Sequence, residues 1–188
     1  MITVVAGIPR CGSSLMMRML HRGGIEPYAD NLYSYEAEDV LGLPSQTKWL
    51  DKAEGKAVKI LEPLEYRPPK TRAYRFVVMT RDPIEQAKSQ VKFARATGVD
   101  IAANQKTIRI LAGSNERDTA ALIKMIQGYP NAALLVISFE ALILDPLEQA
   151  LLVSDFCGGL HVSAMTAEVI DRLPQCLPYL LELEQINS

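Results

Sequence analysis

A chain of 188 residues with 48% hydrophobic content is long enough to bury one good core, so a single domain over 1–188 is expected. A formal net charge of −2 and a pI near 5.8 exclude a broad nucleic-acid footprint, which needs a basic face, so any positive site is local. Cys11, Cys157 and Cys176 include no close-spaced pair, the apolar N-terminus has neither the basic leader nor the cleavage site of a signal peptide, and no apolar run approaches a bilayer span; a zinc knuckle, a disulfide frame and a membrane segment are excluded, and a cytoplasmic protein is expected.

In chain order, four short apolar runs read as strands buried on both faces: Ile2 to Ala6, Ala57 to Leu61, Arg75 to Thr80 and Ala133 to Ser138. They alternate with helical patterns, which predicts a parallel α/β sheet. Ser13 to His21 continues as a helix from the loop after the first strand. Asp82-Pro83-Ile84-Glu85 is a helix start, with an aspartate cap, proline at the first helical position and an acid at the third. Asp145-Pro146-Leu147-Glu148 repeats the device and opens a helix towards Phe156, stopped by Gly158 and Gly159. Residues 23–50 and 98–115 have weaker periodicity and more turn formers, so they are expected as loops or short helices over the sheet. The first of these carries Tyr28, Tyr33, Tyr35 and Trp49.

The stretch VVAGIPRCGSSLMMRML, residues 4–20, holds the chemistry. A loop that leaves a strand and enters a helix presents free N–H groups and the positive end of the helix dipole to an anion. Gly7 and Gly12 have the separation of the nucleoside-triphosphate loop G-x-x-x-x-G-K-[ST], but Ser13 stands where the lysine belongs. Pro9 stiffens the bend, Gly12 permits close approach, Ser13 and Ser14 add hydroxyl donors, and Arg10 brings the charge a lysine would supply. A kinase or ATPase would need that lysine and a carboxylate to help hold magnesium. A tyrosine phosphatase would need C-x5-R, whereas Cys11 and Arg18 are spaced C-x6-R, which puts the arginine on another side of the helix.

The motif GIPRCGSS resembles the 5′-phosphosulfate loop of sulfotransferases, with Cys11 in place of a serine and two serines in place of threonines. Downstream, FVVMTRDPIEQAKSQVKFA has Arg81 at a strand end and Ser89 eight positions later, similar to the element that holds the 3′-phosphate of 3′-phosphoadenosine 5′-phosphosulfate in that family. Ser89 lies about 10 Å along its helix, within reach of an arginine folded back from the strand end. The stretch VISFEALILDPLEQALLVSDFCG resembles the later strand and helix of the family, so the likeness covers roughly residues 2–160 and is nearest to small bacterial or phage members. It implies a three-layer, P-loop NTPase-like parallel sheet flanked by helices. It also implies metal-free transfer of a sulfuryl group to a hydroxyl or amine of a small-molecule or other acceptor, with donor contacts at Arg10, Cys11, Gly12, Ser13, Ser14, Arg81 and Ser89. Within this reading Arg10 and the loop N–H groups meet the leaving phosphate, and Arg81 and Ser89 share the 3′-phosphate.

Two departures bear on catalysis. A basic R-K-G element near the C-terminus of the cytosolic members is missing, and the histidine of their K-T-H-x-P stretch is replaced in KILEP. His21 and His161 have no motif behind them. Carboxylates replace the histidine in other branches, which makes Glu36 in SYEAE the first candidate base and Glu62 the second, with Lys59 a candidate for stabilising transferred charge. Two other readings stay open on the residues alone: a nucleotide or phosphate-ester enzyme, and a binding protein that keeps the nucleotide fold without catalysis.

Overall fold

The computed structural model describes residues 1–40 and 48–170; Cys176 and the 41–47 part of the aromatic segment lie outside them. Its strands are β1 (Ile2–Ala6), β2 (Ala57–Ile60), β3 (Tyr74–Thr80) and β4 (Ala132–Ser138). All neighbours pair in parallel, in the order β2-β1-β3-β4. The helices are α1 (Ser13–Gly23), α2 (Trp49–Lys52), α3 (Pro83–Ala96), α4 (Gln105–Gln127), α5 (Phe139–Leu144), α6 (Pro146–Cys157) and α7 (Val162–Ile170).

The alternation of side chains along each strand divides the core into two layers. Val5, Ala57, Val77, Met79 and Ile137 face α1, α5, α6 and α7, and there Met16, Met17, Met19 and Leu20 are completely buried. Each such side chain contributes roughly 1.5–3 kcal/mol by leaving water. Val4, Val58, Ile60, Phe76 and Val78 point the other way, onto Trp49 and Leu50 of α2 and Leu122 and Ile126 of α4. α3 packs on α4 through Ala87, Ile108 and Ala112. The expected three-layer parallel sheet is the observed one.

The two Asp-Pro starts behave as read. Asp82 accepts from Ile84 N and Glu85 N at 3.0 and 2.9 Å, and Asp145 accepts from Glu148 N at 3.0 Å. Gly158 ends α6 with φ 94°. Two expectations are corrected. Residues 98–115 do not form only loops or short helices: α4 begins at Gln105, with Asn104 as its cap, and runs for 23 residues. Gly113-Ser114-Asn115 hides it in the sequence, yet packing against α3 and the sheet outweighs the poor propensity of those three residues. β4 is not buried on both faces. It pairs only with β3 among the described residues, and Ala133 and Val136 are exposed.

Since β2 and β3 lie on opposite sides of β1, the chain reverses direction of progress at β1 and opens a crevice beyond the carboxyl ends of β1 and β3, the usual ligand position in such sheets. The loop 7–12 and Arg81 both emerge there. After α1 the chain turns at Gly24, runs beside the outer edge of β2 with Tyr28 N bonded to Ala57 O at 2.7 Å, and folds into a tight turn over residues 31–36. Among the described residues no helix is long and apolar enough to cross a membrane.

Candidate active site

The strand-to-helix loop is built to expose its amides. Gly12 caps α1 with φ 98°, has no side-chain oxygen to offer, and no acid follows in the first turn. Leu15 N and Met16 N donate to Gly12 O at 3.0 and 3.2 Å, which leaves the Ser13 and Ser14 N–H groups without a carbonyl acceptor in the helix. An alanine at position 12 would be strained at that φ, and its Cβ would lie 2.5 Å from the Phe139 ring. Arg10 also has a positive φ, 72°, a costly backbone conformation for a residue with a side chain.

Arg10 Nε donates to Ser89 Oγ at 3.3 Å, and its guanidinium lies 4.9 Å from the centre of the Phe93 ring, so Arg10 runs along α3. Arg81, expected to share the 3′-phosphate with Ser89, donates from Nη1 to Arg10 O at 3.1 Å and stacks 4.8 Å above Phe139. The reason is the aromatic platform: Phe139, wedged against Gly12, gives the Arg81 guanidinium a face to lie on. Arg81 Nε is buried without a partner. Burial pulls the Arg81 guanidinium below its ordinary range, opposed by the nearby Glu140 and Glu85. Ser89 is itself buried.

The Cys11 side chain is buried in the core on the α1 face of the sheet. The residue's amide donates to Ile8 O at 3.2 Å and its side chain is 1% exposed. Burial pushes the thiol up to about 11, although the Ser13 amide and hydroxyl act in the opposite direction. Such a thiol is not a nucleophile near neutral pH. Buried in this way, Cys11 does not supply the exposed thiolate that tyrosine-phosphatase chemistry needs.

On the other side of α1 a second group of residues converges. Lys59 occupies a core position of β2, on the α1 face, and only 3% of its side chain is exposed. An ammonium so placed is tolerated only when fully hydrogen-bonded. Nζ donates to Ser14 Oγ at 3.1 Å, to the Ser34 carbonyl, and to Glu36 Oε1 at 2.9 Å. The 31–36 turn makes this possible. Tyr35 adopts φ 57°, costly for a residue with a side chain, and is buried in the core with its hydroxyl 3.3 Å from His21 Nδ1. Ser34 O and the Glu36 carboxylate on either side of it are thereby brought to the same ammonium. Asp30 N donates to Glu36 O at 2.9 Å and closes the turn.

Glu36 keeps 35% of its side chain exposed, enough to be reached from solvent beside the loop. Glu62, the second candidate base, begins a turn in which its carbonyl accepts from Glu65 N and Tyr66 N; it is exposed, and no described residue pairs with its side chain. His21 is occupied with Tyr35, and His161 lies by Gly23 and Gly24 at the far end of α1. Sequence reasoning missed three amides. Gln86 Nε2 donates to Ile8 O and Pro9 O at 2.9 and 3.0 Å, and Gln90 Nε2 donates to Pro9 O at 3.1 Å. Gln90 also exchanges hydrogen bonds with Asn115 at 3.1 and 3.0 Å. Polar residues four apart on a helix ordinarily read as its solvent face, so only the Asp-Pro register relative to the loop could have singled them out.

No family model and no curated protein matches the sequence. Solved structures do match. The sulfotransferase domain from the Synechococcus PCC 7002 olefin synthase aligns with a TM-score of 0.59 at 16% identity, covering 87% of this chain and 75% of that one. Retinol dehydratase in complex with androsterone and inactive cofactor PAP aligns at 0.55 with 18% identity, over 89% of this chain but only 63% of its own. A sulfotransferase from Alicyclobacillus acidocaldarius aligns at 0.52 with 14% identity, over 95% and 88% of the two chains. The chain has the fold of the sulfotransferases.

Proposed function

We propose that the chain is a sulfotransferase that moves a sulfuryl group from 3′-phosphoadenosine 5′-phosphosulfate to a hydroxyl or amine of an acceptor. The observation that carries the reading is the line Glu36–Lys59–Ser14, 2.9 and 3.1 Å between polar atoms, running from the solvent-reached turn to the amide-rich start of α1. In this reading the three residues serve as base, cation and part of a phosphate cradle. The PAP bound in retinol dehydratase supports the choice of donor for a chain of this fold.

In this mechanism the 5′-phosphosulfate lies at the start of α1, against the first-turn amides of Ser13 and Ser14 and the Ser14 hydroxyl. Glu36 takes the acceptor proton as the acceptor atom bonds to sulfur. The bond from sulfur to the bridging oxygen breaks, and its electron pair stays on the 5′-phosphate. Lys59, already directed at Ser14, lies where that charge grows, and a fixed cation in a water-poor site requires little reorganisation. It supplies the lysine that the loop lacks. Arg10 consequently moves to a different role. Its pairing with Ser89 supports assigning these two residues to the 3′-phosphate, with Arg81 behind them holding Arg10 O and keeping one unpartnered donor. The remaining chemistry is positional, since the donor carries its own activated group.

The test is transfer itself. Purified protein with 3′-phosphoadenosine 5′-phosphosulfate and a panel of phenols, alcohols and amines should release 3′-phosphoadenosine 5′-phosphate in step with a sulfated product, and Glu36→Gln should stop the release. Release that continues unchanged in the Glu36→Gln variant removes Glu36 as the base, and turnover of nucleoside triphosphates instead overturns the assignment.

A further inference from the structure

We infer that Gln86 and Gln90, with Asn115 behind them, are positioning residues that shape the phosphate loop by drawing its carbonyl groups away from the anion. The inference rests on the proposed donor site and extends it to residues that never touch the donor. A loop that binds an anion through N–H groups must turn its carbonyl oxygens elsewhere, because a carbonyl facing a phosphate repels it and leaves an amide misdirected. Here three consecutive carbonyls are taken by side chains from α3 and from Arg81, just past the end of β3. Ile8 O accepts from Gln86, Pro9 O accepts from both Gln86 and Gln90, and Arg10 O accepts from Arg81. Pro9 has no N–H of its own, so it contributes only its carbonyl and fixes the bend.

The orientation of these amides is itself determined. Gln86 is 2% exposed and Asn115 4% exposed, so neither can trade its partners for water. Asn115 Nδ2 donates to Gln90 Oε1 while its Oδ1 accepts from Gln90 Nε2, which leaves Gln90 with its nitrogen towards Pro9 O. A reversed Gln90 amide would set oxygen against oxygen. Asn115 comes from the middle of α4, in the very stretch of poor helix formers that obscures that helix in the sequence. α4 therefore reaches the loop through one residue of α3, and the asparagine of that stretch is explained by the contact.

The experiment combines amide hydrogen exchange of the free protein, calorimetric titration with 3′-phosphoadenosine 5′-phosphate and thermal unfolding, on Gln86→Met, Gln90→Met, Asn115→Ala and the Gln90→Met/Asn115→Ala double variant. The clamp predicts that exchange of the Cys11, Leu15 and Met16 amides, which the loop carbonyls of Ile8 and Gly12 hold, accelerates roughly tenfold or more while α6 amides keep their wild-type rates. Nucleotide affinity should fall about tenfold in each single variant, the scale of one lost hydrogen bond. Asn115→Ala should add nothing once Gln90 is methionine, because it acts only through Gln90. A merely structural role predicts the reverse: lower melting temperatures with loop exchange and affinity unchanged, or full additivity in the double variant, and either result overturns the inference. If the wild type fails to bind the nucleotide, the proposed function fails while the exchange data still decide the clamp.

Discussion

Lys59→Met is the most informative single change. Methionine keeps the length and apolar stem of the side chain, so the packing of β2 against α1 survives and the ammonium alone is removed. Three acceptors lose their donor: Ser14 Oγ, the Ser34 carbonyl and Glu36 Oε1. Glu36 is about a third exposed and recovers water, so the stability cost comes mainly from the other two and amounts to about 1–3 kcal/mol. For a chain of this length that lowers the melting temperature by roughly 2–4 °C per kcal/mol, and the protein remains folded at 25 °C. The catalytic cost is larger. Loss of a fixed donor at a developing charge lowers the rate by roughly 100- to 1,000-fold. Single-turnover transfer at saturating donor, read alongside thermal unfolding and calorimetric titration with 3′-phosphoadenosine 5′-phosphate, separates the two effects. The expected pattern is a modest fall in melting temperature, nucleotide affinity reduced by no more than about tenfold, and transfer nearly abolished. A folded Lys59→Met variant that transfers within about threefold of the wild-type rate would refute the role assigned to Lys59.

Glu36→Gln should retain donor binding and lose transfer, whereas Glu62→Gln should transfer at the wild-type rate; loss of turnover in the Glu62 variant alone would move the base to the end of β2. Cys11 should resist iodoacetamide in the folded protein at pH 8 and react only on unfolding, and peptide mapping of the alkylated protein checks this. Because burial raises the Cys11 thiol from 9.0 to about 11, its contribution to stability is complete below pH 9 and is lost as pH rises towards 11. Melting temperature should therefore decline over that window, less steeply in Cys11→Ala. A chelator should leave transfer unchanged, since cationic side chains carry the charge in this mechanism; inhibition reversed by magnesium would contradict it.

Much of this fold is legible in the sequence because its strongest signals are local. The buried strands are short unbroken apolar runs, and each Asp-Pro start places a cap, a proline and an acid in fixed order, so β1, β3, α3 and α6 can be read directly. α4 could not be, because Asn115 is chosen for its contact with Gln90 rather than for helix propensity. β4 reads as central but lies at an edge of the described sheet, since an apolar run does not say how many neighbours it has. At the candidate site, the loop, Arg81 and Ser89 are visible as a spacing, but spacing gives no side-chain direction. Phe139 captures Arg81 and leaves Ser89 to Arg10, a result set by an aromatic ring more than 50 residues further along the chain. The Lys59 and Glu36 pair was equally inaccessible as a pair: it depends on the left-handed Tyr35, which nothing in SYEAE announces.

The most direct test of the donor assignment is a paired calorimetric titration of the wild-type protein with 3′-phosphoadenosine 5′-phosphate and adenosine 5′-monophosphate, repeated on Arg10→Ala and Ser89→Ala. A charge-assisted hydrogen bond contributes roughly 1.5–3 kcal/mol, so Arg10 with Ser89 predicts on the order of 100-fold tighter binding of the nucleotide that carries the 3′-phosphate. Arg10→Ala should remove most of that difference, Ser89→Ala part of it, and neither should change the monophosphate's affinity appreciably. Equal affinity of the wild-type protein for the two nucleotides would contradict the 3′-phosphate site, and with it the sulfuryl donor.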